Sequence, residues 1–237
     1  MHGGVWTSST RASVQPIAQA LADDGIAVYA IDFRMPPAAG YPASIRDVNL
    51  AVRWVKAHAS QLATRADWVG LMGESSGAHQ AVLVAMRPTD PVYSDLPLAA
   101  APPVDASVPF VVSCWGVLDP LARYRYAQEQ KLQPVVAGHD SYWGSEKNMA
   151  EGNPQLLLER HDAVKLPAVL ALYGTGDQNV PTAIPERFVS SYAQAGGKIK
   201  ALVYPDAPHG FIHAPFDERS TQALAEIRAF IHQHTNR

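Results

Sequence analysis

The sequence predicts an α/β fold, a mainly parallel sheet with helices on both faces. Short apolar runs of strand type alternate with helix-type segments along the chain, as right-handed strand–helix–strand crossovers require. One pentapeptide, Gly73-Glu74-Ser75-Ser76-Gly77, fits G-x-S-x-G and sits between such a strand and such a helix. Two more turns with reactive side chains, around Asp177 and His209, also follow strands and precede helices. At 237 residues one α/β domain over 1–237, with a substantial core, is the natural reading.

In chain order, Ser13 to Ala22 reads as a helix and Ile26 to Phe33 as a strand. Ile45 to Ala59 reads as an amphipathic helix whose Val48, Val52 and Val55 recur at helical spacing and belong to the core. Trp68 to Met72 is a short strand, and Ala78 to Met86 is apolar and long enough for a buried helix. The proline-rich stretch from Pro88 to Pro109 is a surface loop, a plain connection or a border of the substrate channel. Strands follow at Val108 to Cys114, Ala168 to Tyr173 and Ile199 to Tyr204, with helices near Ala183 to Ala195 and Arg219 to His232. Residues 117–160 fit no sheet element. Leu121 to Leu132 and Met149 to Leu158 read as helices flanking a loop that carries Gly138, His139, Asp140, Tyr142, Trp143 and Gly144. An insertion between strands at the C-terminal sheet edge lies over the place where those strands end, so it is expected to form a small cap. Tyr142 and Trp143 fit lining of an acyl or aromatic pocket and packing beneath the cap equally well.

A serine nucleophile needs a sharp strand-to-helix turn that lifts Oγ above the sheet, with glycines two before and two after it. Ser75 meets that requirement, although the pentapeptide alone is also compatible with an inert Gly/Ser turn. Its partners are expected in the order Ser, acid, His. Asp177 ends Leu172-Tyr173-Gly174-Thr175-Gly176-Asp177, directly after an apolar strand, and His209 lies in Pro208-His209-Gly210-Phe211 after the strand Ile199 to Tyr204. Each alone could be an ordinary turn residue. The set points to acyl transfer by Ser75, with His209 as base and Asp177 orienting it. Charge developing on the carbonyl oxygen needs preorganised N–H donors, for which Ser76 and Gly3 or Gly4 of His2-Gly3-Gly4 are the candidates.

These motifs together resemble the α/β-hydrolase superfamily, in the esterase/lipase group with an HGG oxyanion loop. The likeness covers nearly all of the chain: His2-Gly3-Gly4, Ile31-Asp32-Phe33-Arg34-Met35-Pro36, Tyr41-Pro42-Ala43, the elbow, the Gly-Thr-Gly-Asp turn and Pro-His-Gly-Phe. Trp6 and Gly77-Ala78-His79 are similar to bacterial arylformamidases, and Ser75-Ser76-Gly77 with Asn153-Pro154 to carbohydrate acetyl and feruloyl esterases. Val5 departs from the third glycine of HGGG proteins, which weakens a hormone-sensitive-lipase assignment. In this superfamily strands precede HGG, whereas here His2 is the second residue. The expectation is therefore a sheet lacking its N-terminal strands, left with a gap or filled from another molecule.

The resemblance implies a serine carboxylesterase acting on small esters through an acyl-enzyme. An arylformamidase-type amidase, a carbohydrate acyl esterase and a non-catalytic hydrolase-fold binding protein are the alternatives. Trp6, Tyr142, Trp143 and Phe211 are the candidate substrate-binding residues, and Asp47 and His79 candidate supports of the elbow. No cofactor is required by this chemistry, and no His spacing with Cys or acidic partners suggests a metal. Net charge is −3 with no basic run, which argues against nucleic acid and anionic membranes as partners. No apolar stretch reaches the length of a membrane span, and no basic-then-apolar leader pattern is present, so a cytoplasmic enzyme is expected. The single cysteine, Cys114, sits in a central strand as a core residue. A homo-oligomer remains open.

Overall fold

The computed structural model describes residues 1–99 and 103–235. Part of the Pro88–Pro109 loop, residues 100–102, lies outside them. After helix α1 (Gln15–Ala22) and helix α2 (Ala43–Ala57), strand β1 (Leu71–Glu74) runs into helix α3 (Ser76–Met86). Strand β2 (Phe110–Cys114) is followed by α4 (Pro120–Glu129), α5 (Gln133–Trp143), α6 (Glu146–Glu151) and α7 (Pro154–Glu159). Then come β3 (Ala168–Gly174), α8 (Ala183–Gln194), β4 (Ile199–Tyr204) and α9 (Glu218–Thr235). The strands pair in the order β1-β2-β3-β4, all parallel.

Side chains alternate across the sheet with period two, so neighbours in one strand enter different cores. Val111 and Val169 pack with Val48, Val52, Leu83, Phe188 and Tyr192 of α2, α3 and α8. Val112 and Leu170 pack with Ile17, Leu21, Leu224 and Ile227 of α1 and α9. With both faces covered, β2 is buried throughout, which explains its unbroken apolar run. Helix α3 is also buried at every position, so its apolar character extends all round rather than along one stripe.

Two expectations need correction. Ile26 to Phe33 joins no ladder: among the described residues, none of the N–H or C=O groups of residues 27–33 bonds to another backbone group. A strand needs a neighbour as well as propensity. Beside the free edge of β1 stands Met1, whose nitrogen donates to Met72 O at 2.6 Å and whose carbonyl accepts from Glu74 N at 3.2 Å. Between that edge and residues 26–31 lies an apolar hollow of about 390 Å³. The second correction concerns the insertion. Its expected central loop is the helix α5, which carries Gly138, His139, Asp140, Tyr142 and Trp143 and ends at Gly144 in the left-handed region, φ 67°.

Candidate active site

The turn from β1 into α3 places Ser75 at φ 53°, ψ −120°, a conformation that is costly for a non-glycine residue. Surrounding bonds hold it there. Ser75 N–H donates to Cys114 O at 2.9 Å, and Ser75 O accepts from Ala78 N at 3.1 Å and Val117 N at 3.2 Å. Both flanking glycines are required by close approach. A Cβ on Gly73 would overlap the Gly77 carbonyl, and one on Gly77 would overlap the carbonyls of Met1 and His2.

Asp177 follows β3 and His209 follows β4, so the parallel order brings both to the sheet edge where Ser75 stands. His209 Nε2 lies 3.0 Å from Ser75 Oγ, and His209 Nδ1 lies 2.7 Å from Asp177 Oδ2. The other carboxylate oxygen accepts N–H bonds from Asn179 and Val180, each 2.8 Å. A carboxylate saturated in this way holds the Nδ1–H tautomer of His209 and leaves Nε2 to accept the serine proton.

The loop from His2 to Trp6 passes over the elbow. Gly4, Val5 and Trp6 all have positive φ, 101°, 54° and 61°, an unusual run for a chain with two side-chain-bearing members. Gly3 N–H donates to Glu74 Oε1 at 3.3 Å. Of the three expected donors, Gly3 is engaged by that carboxylate, while Gly4 N–H and Ser76 N–H have no protein partner among the described residues. His2 braces its own loop, with Nδ1 2.8 Å from Gly3 O and the ring stacked on Phe33 at 4.3 Å. Burial lowers the pKa of His2 and raises that of Glu74.

A cleft of about 560 Å³ opens onto Ser75 and His209, lined also by Gly3, Gly4, Glu74, Trp115, Asn179 and Ile212. The four aromatic side chains expected to bind substrate are not in that lining. Trp6 is fully buried, stacked on Tyr142 at 5.4 Å and edge-on to Trp143 at 5.4 Å, with its indole N–H donating to His79 Nδ1 at 3.1 Å. Tyr142 donates to or accepts from Ser44 Oγ at 2.7 Å, and Trp143 packs edge-on to His79. Phe211 packs between Trp115 and Tyr204. All four are core: Trp6, Tyr142 and Trp143 pack in one buried cluster and Phe211 in another.

His79, in the first turn of α3, bridges Trp6 and Gly152. Its Nε2–H donates to Gly152 O at 2.7 Å, so Nδ1 accepts from Trp6, and burial pushes its pKa down to about 4. Asp47 instead grips Arg34, through Arg34 N at 2.8 Å and Nη2 at 2.7 Å. Trp115 and Asn179 are cleft residues that motif reading missed. Their signal was positional, since each stands just past the C-terminal end of a parallel strand, where ligands of such sheets bind. Among the described residues, no group of three or more His, Cys, Asp or Glu is placed to hold a metal ion. No described helix is long and apolar enough to cross a membrane.

A family model described as BD-FAE matches residues 1–191. "Probable carboxylic ester hydrolase LipM" of Mycobacterium tuberculosis is 30% identical over 232 residues, covering 96% of this chain and 49% of that protein. Esterase LipC of the same organism is 26% identical, covering 88% of this chain and 51% of that protein. The chain thus spans about half the length of the curated relatives it matches. Among solved structures, an inhibited esterase B from Lactobacillus rhamnosis superposes with a TM-score of 0.81 at 17% identity, covering 99% of this chain and 75% of that one.

Proposed function

From the premise that this chain belongs to the BD-FAE family and has the α/β-hydrolase fold, we propose that it is a serine carboxylesterase that cleaves small carboxylic esters through an acyl-enzyme. The observation that carries this reading is the continuous line from Ser75 Oγ through His209 to Asp177, with steps of 3.0 and 2.7 Å. In the proposed reaction, His209 Nε2 takes the Ser75 proton as Oγ attacks the ester carbonyl. Asp177 fixes the imidazole tautomer and offsets its positive charge. The tetrahedral oxyanion is received by Gly4 N–H and Ser76 N–H at the start of α3, whose N-terminal dipole end favours negative charge. His209 then protonates the departing alcohol and activates the water that releases the acid.

We place the substrate in the cleft between Gly4, Glu74, Trp115 and Ile212, with the chain acting as one domain in the cytoplasm. The lone unpaired Cys114 suits a reducing compartment. Substrate recognition through Trp6, Tyr142, Trp143 or Phe211 is not part of the proposal, because all four are buried.

Labelling with a fluorophosphonate, mapped by mass spectrometry, tests the reading. Ser75 should be the modified residue, and Ser75→Ala should abolish labelling while the fold persists. Labelling that survives the substitution refutes the nucleophile. A panel of p-nitrophenyl acyl esters set against N-formylkynurenine separates ester from formamide cleavage. Turnover of neither substrate, with no labelling, favours a binding protein.

A further inference from the structure

Arg123 is a buried charged group that the proposed reaction does not use. It projects from α4, is 0% exposed, and its Nη1 has no protein partner. Its guanidinium grips an amide: Nη2 donates to Asn179 Oδ1, and Nε donates to Asn179 O at 3.3 Å. The same guanidinium stands over the Trp6 ring, with Cζ 5.9 Å from the centroid. Burial lowers its pKa to about 10, with the charge of Asp177 acting the other way, so it is cationic at neutral pH. Burying a cation without a directly bonded carboxylate is expensive.

Its two neighbours lead to opposite ends of the site. Asn179 donates its N–H to Asp177 Oδ1, and three residues further along α4 the Tyr126 hydroxyl donates to Gln178 O at 3.2 Å. The insertion therefore grips the loop that follows Asp177 at two successive residues. Trp6 donates its backbone N–H to Ser76 Oγ at 3.1 Å and closes the positive-φ run that begins at Gly4.

We propose that Arg123 is a positioning residue: through Asn179 it sets the Asp177 carboxylate, and through the Trp6 ring it sets the loop that presents Gly4 N–H. One cation in the insertion would thus hold the acid and the oxyanion donors in mutual register. The inference rests on the esterase reading above. It assigns Arg123 no contact with substrate, in keeping with its absence from the cleft lining.

The test measures kcat and KM with p-nitrophenyl acetate for the unsubstituted protein, Arg123→Gln, Arg123→Lys and Asn179→Ala. It repeats Arg123→Gln in an Asp177→Asn background. Arg123→Gln should lower kcat by about 10- to 100-fold, the scale expected of sub-ångström misplacement, with KM changed by less than about threefold. Arg123→Lys keeps the charge but loses the two-pronged donor, so it should retain more kcat than the glutamine variant. In the Asp177→Asn background the further loss should be clearly smaller than in the unsubstituted protein, because the part acting through Asp177 is already gone and only the part acting through the Trp6 loop remains. Asn179→Ala removes the side-chain acceptor of Nη2 while keeping the guanidinium and the backbone bonds of residue 179, so it should lower kcat by less than Arg123→Gln, and it decides the matter if Arg123→Gln fails to fold by near-ultraviolet circular dichroism. Unchanged kcat in Asn179→Ala, a loss confined to KM, or fully multiplicative losses in the double variant would overturn the proposal. If the unsubstituted protein neither turns over ester nor labels at Ser75, the esterase reading itself fails and takes this proposal with it.

Discussion

The Gly3 amide donates to the Glu74 side chain at 3.3 Å, joining the start of the His2–Trp6 loop to the residue just before Ser75. A glycine that looks like an oxyanion donor is therefore a tether. The loop is held at Gly3 by a carboxylate and at Trp6 by Ser76 Oγ and His79 Nδ1, which frees the Gly4 N–H in between.

Glu74 gives a stability that depends on pH. Burial is the first cause raising its pKa, and the Gly3 bond lowers it less, so the folded state holds this proton more tightly than the unfolded chain does. Its contribution is full below the unfolded carboxyl range and is lost as pH rises through the folded value. Glu74→Gln keeps an acceptor for Gly3 and carries no charge. The melting temperature of the variant relative to the original should therefore increase from pH 4.5 to pH 7.5. A difference independent of pH refutes this account.

Asp177→Asn should preserve the fold and lower kcat by roughly 10⁴-fold, the scale seen when the orienting acid of a serine triad loses its charge. The amide would meet the N–H groups of Asn179 and Val180 as an acceptor on one side and present the wrong partner to His209 on the other. Stopped-flow or initial-rate kinetics, with circular dichroism as the folding control, checks the outcome. A loss below tenfold would mean that another carboxylate orients His209.

Gly4→Ala should cost about 100- to 1000-fold in kcat, the loss associated with removing one oxyanion donor. The position has φ 101°, and a Cβ there would overlap the Ser8 carbonyl, so the loop must move. Gly144→Ala is the control. It also has positive φ, 67°, but faces open space beyond α5, so it should lower stability by about 1 kcal/mol and leave kcat unchanged.

Cys114 is 1% exposed, and burial pushes its thiol well above the usual range, with the charge of Glu74 adding to the effect. Only the thiolate reacts. Ellman's reagent should leave the native protein unmodified over a time in which the denatured chain reacts completely. Rapid modification of folded protein would show that this strand opens on that timescale.

The convergence of Ser75, Asp177 and His209 was legible in the sequence because each occupies a short turn after an apolar strand, a local signal that parallel topology converts into proximity. The aromatic residues were not. Trp6, Tyr142 and Trp143 satisfy one another's rings, and composition cannot tell a cage of this kind from a pocket wall. Gly138 lowers helical propensity in the middle of α5, which hides that helix in the sequence. That glycine is there for Val5, which would overlap a Cβ at this position. Ile26 to Phe33 has the composition of a strand, yet pairing is a property of two segments and leaves no mark in one.

The hydrogen-bond ladder is unevenly distributed. Strands β2 and β3 are bonded along both edges, whereas residues 27–33 carry no backbone pairing and the free edge of β1 meets Met1 alone among the described residues. Local opening free energy follows such differences. Amides of residues 27–33 should exchange with solvent first and those of β3 last, so the flank that carries His2, Gly3 and Gly4 loosens before the strands that carry Asp177 and His209. Under mild denaturant, oxyanion stabilisation would then fade while the Ser75–His209 contact still persists, and turnover would fail ahead of the bulk of the secondary structure.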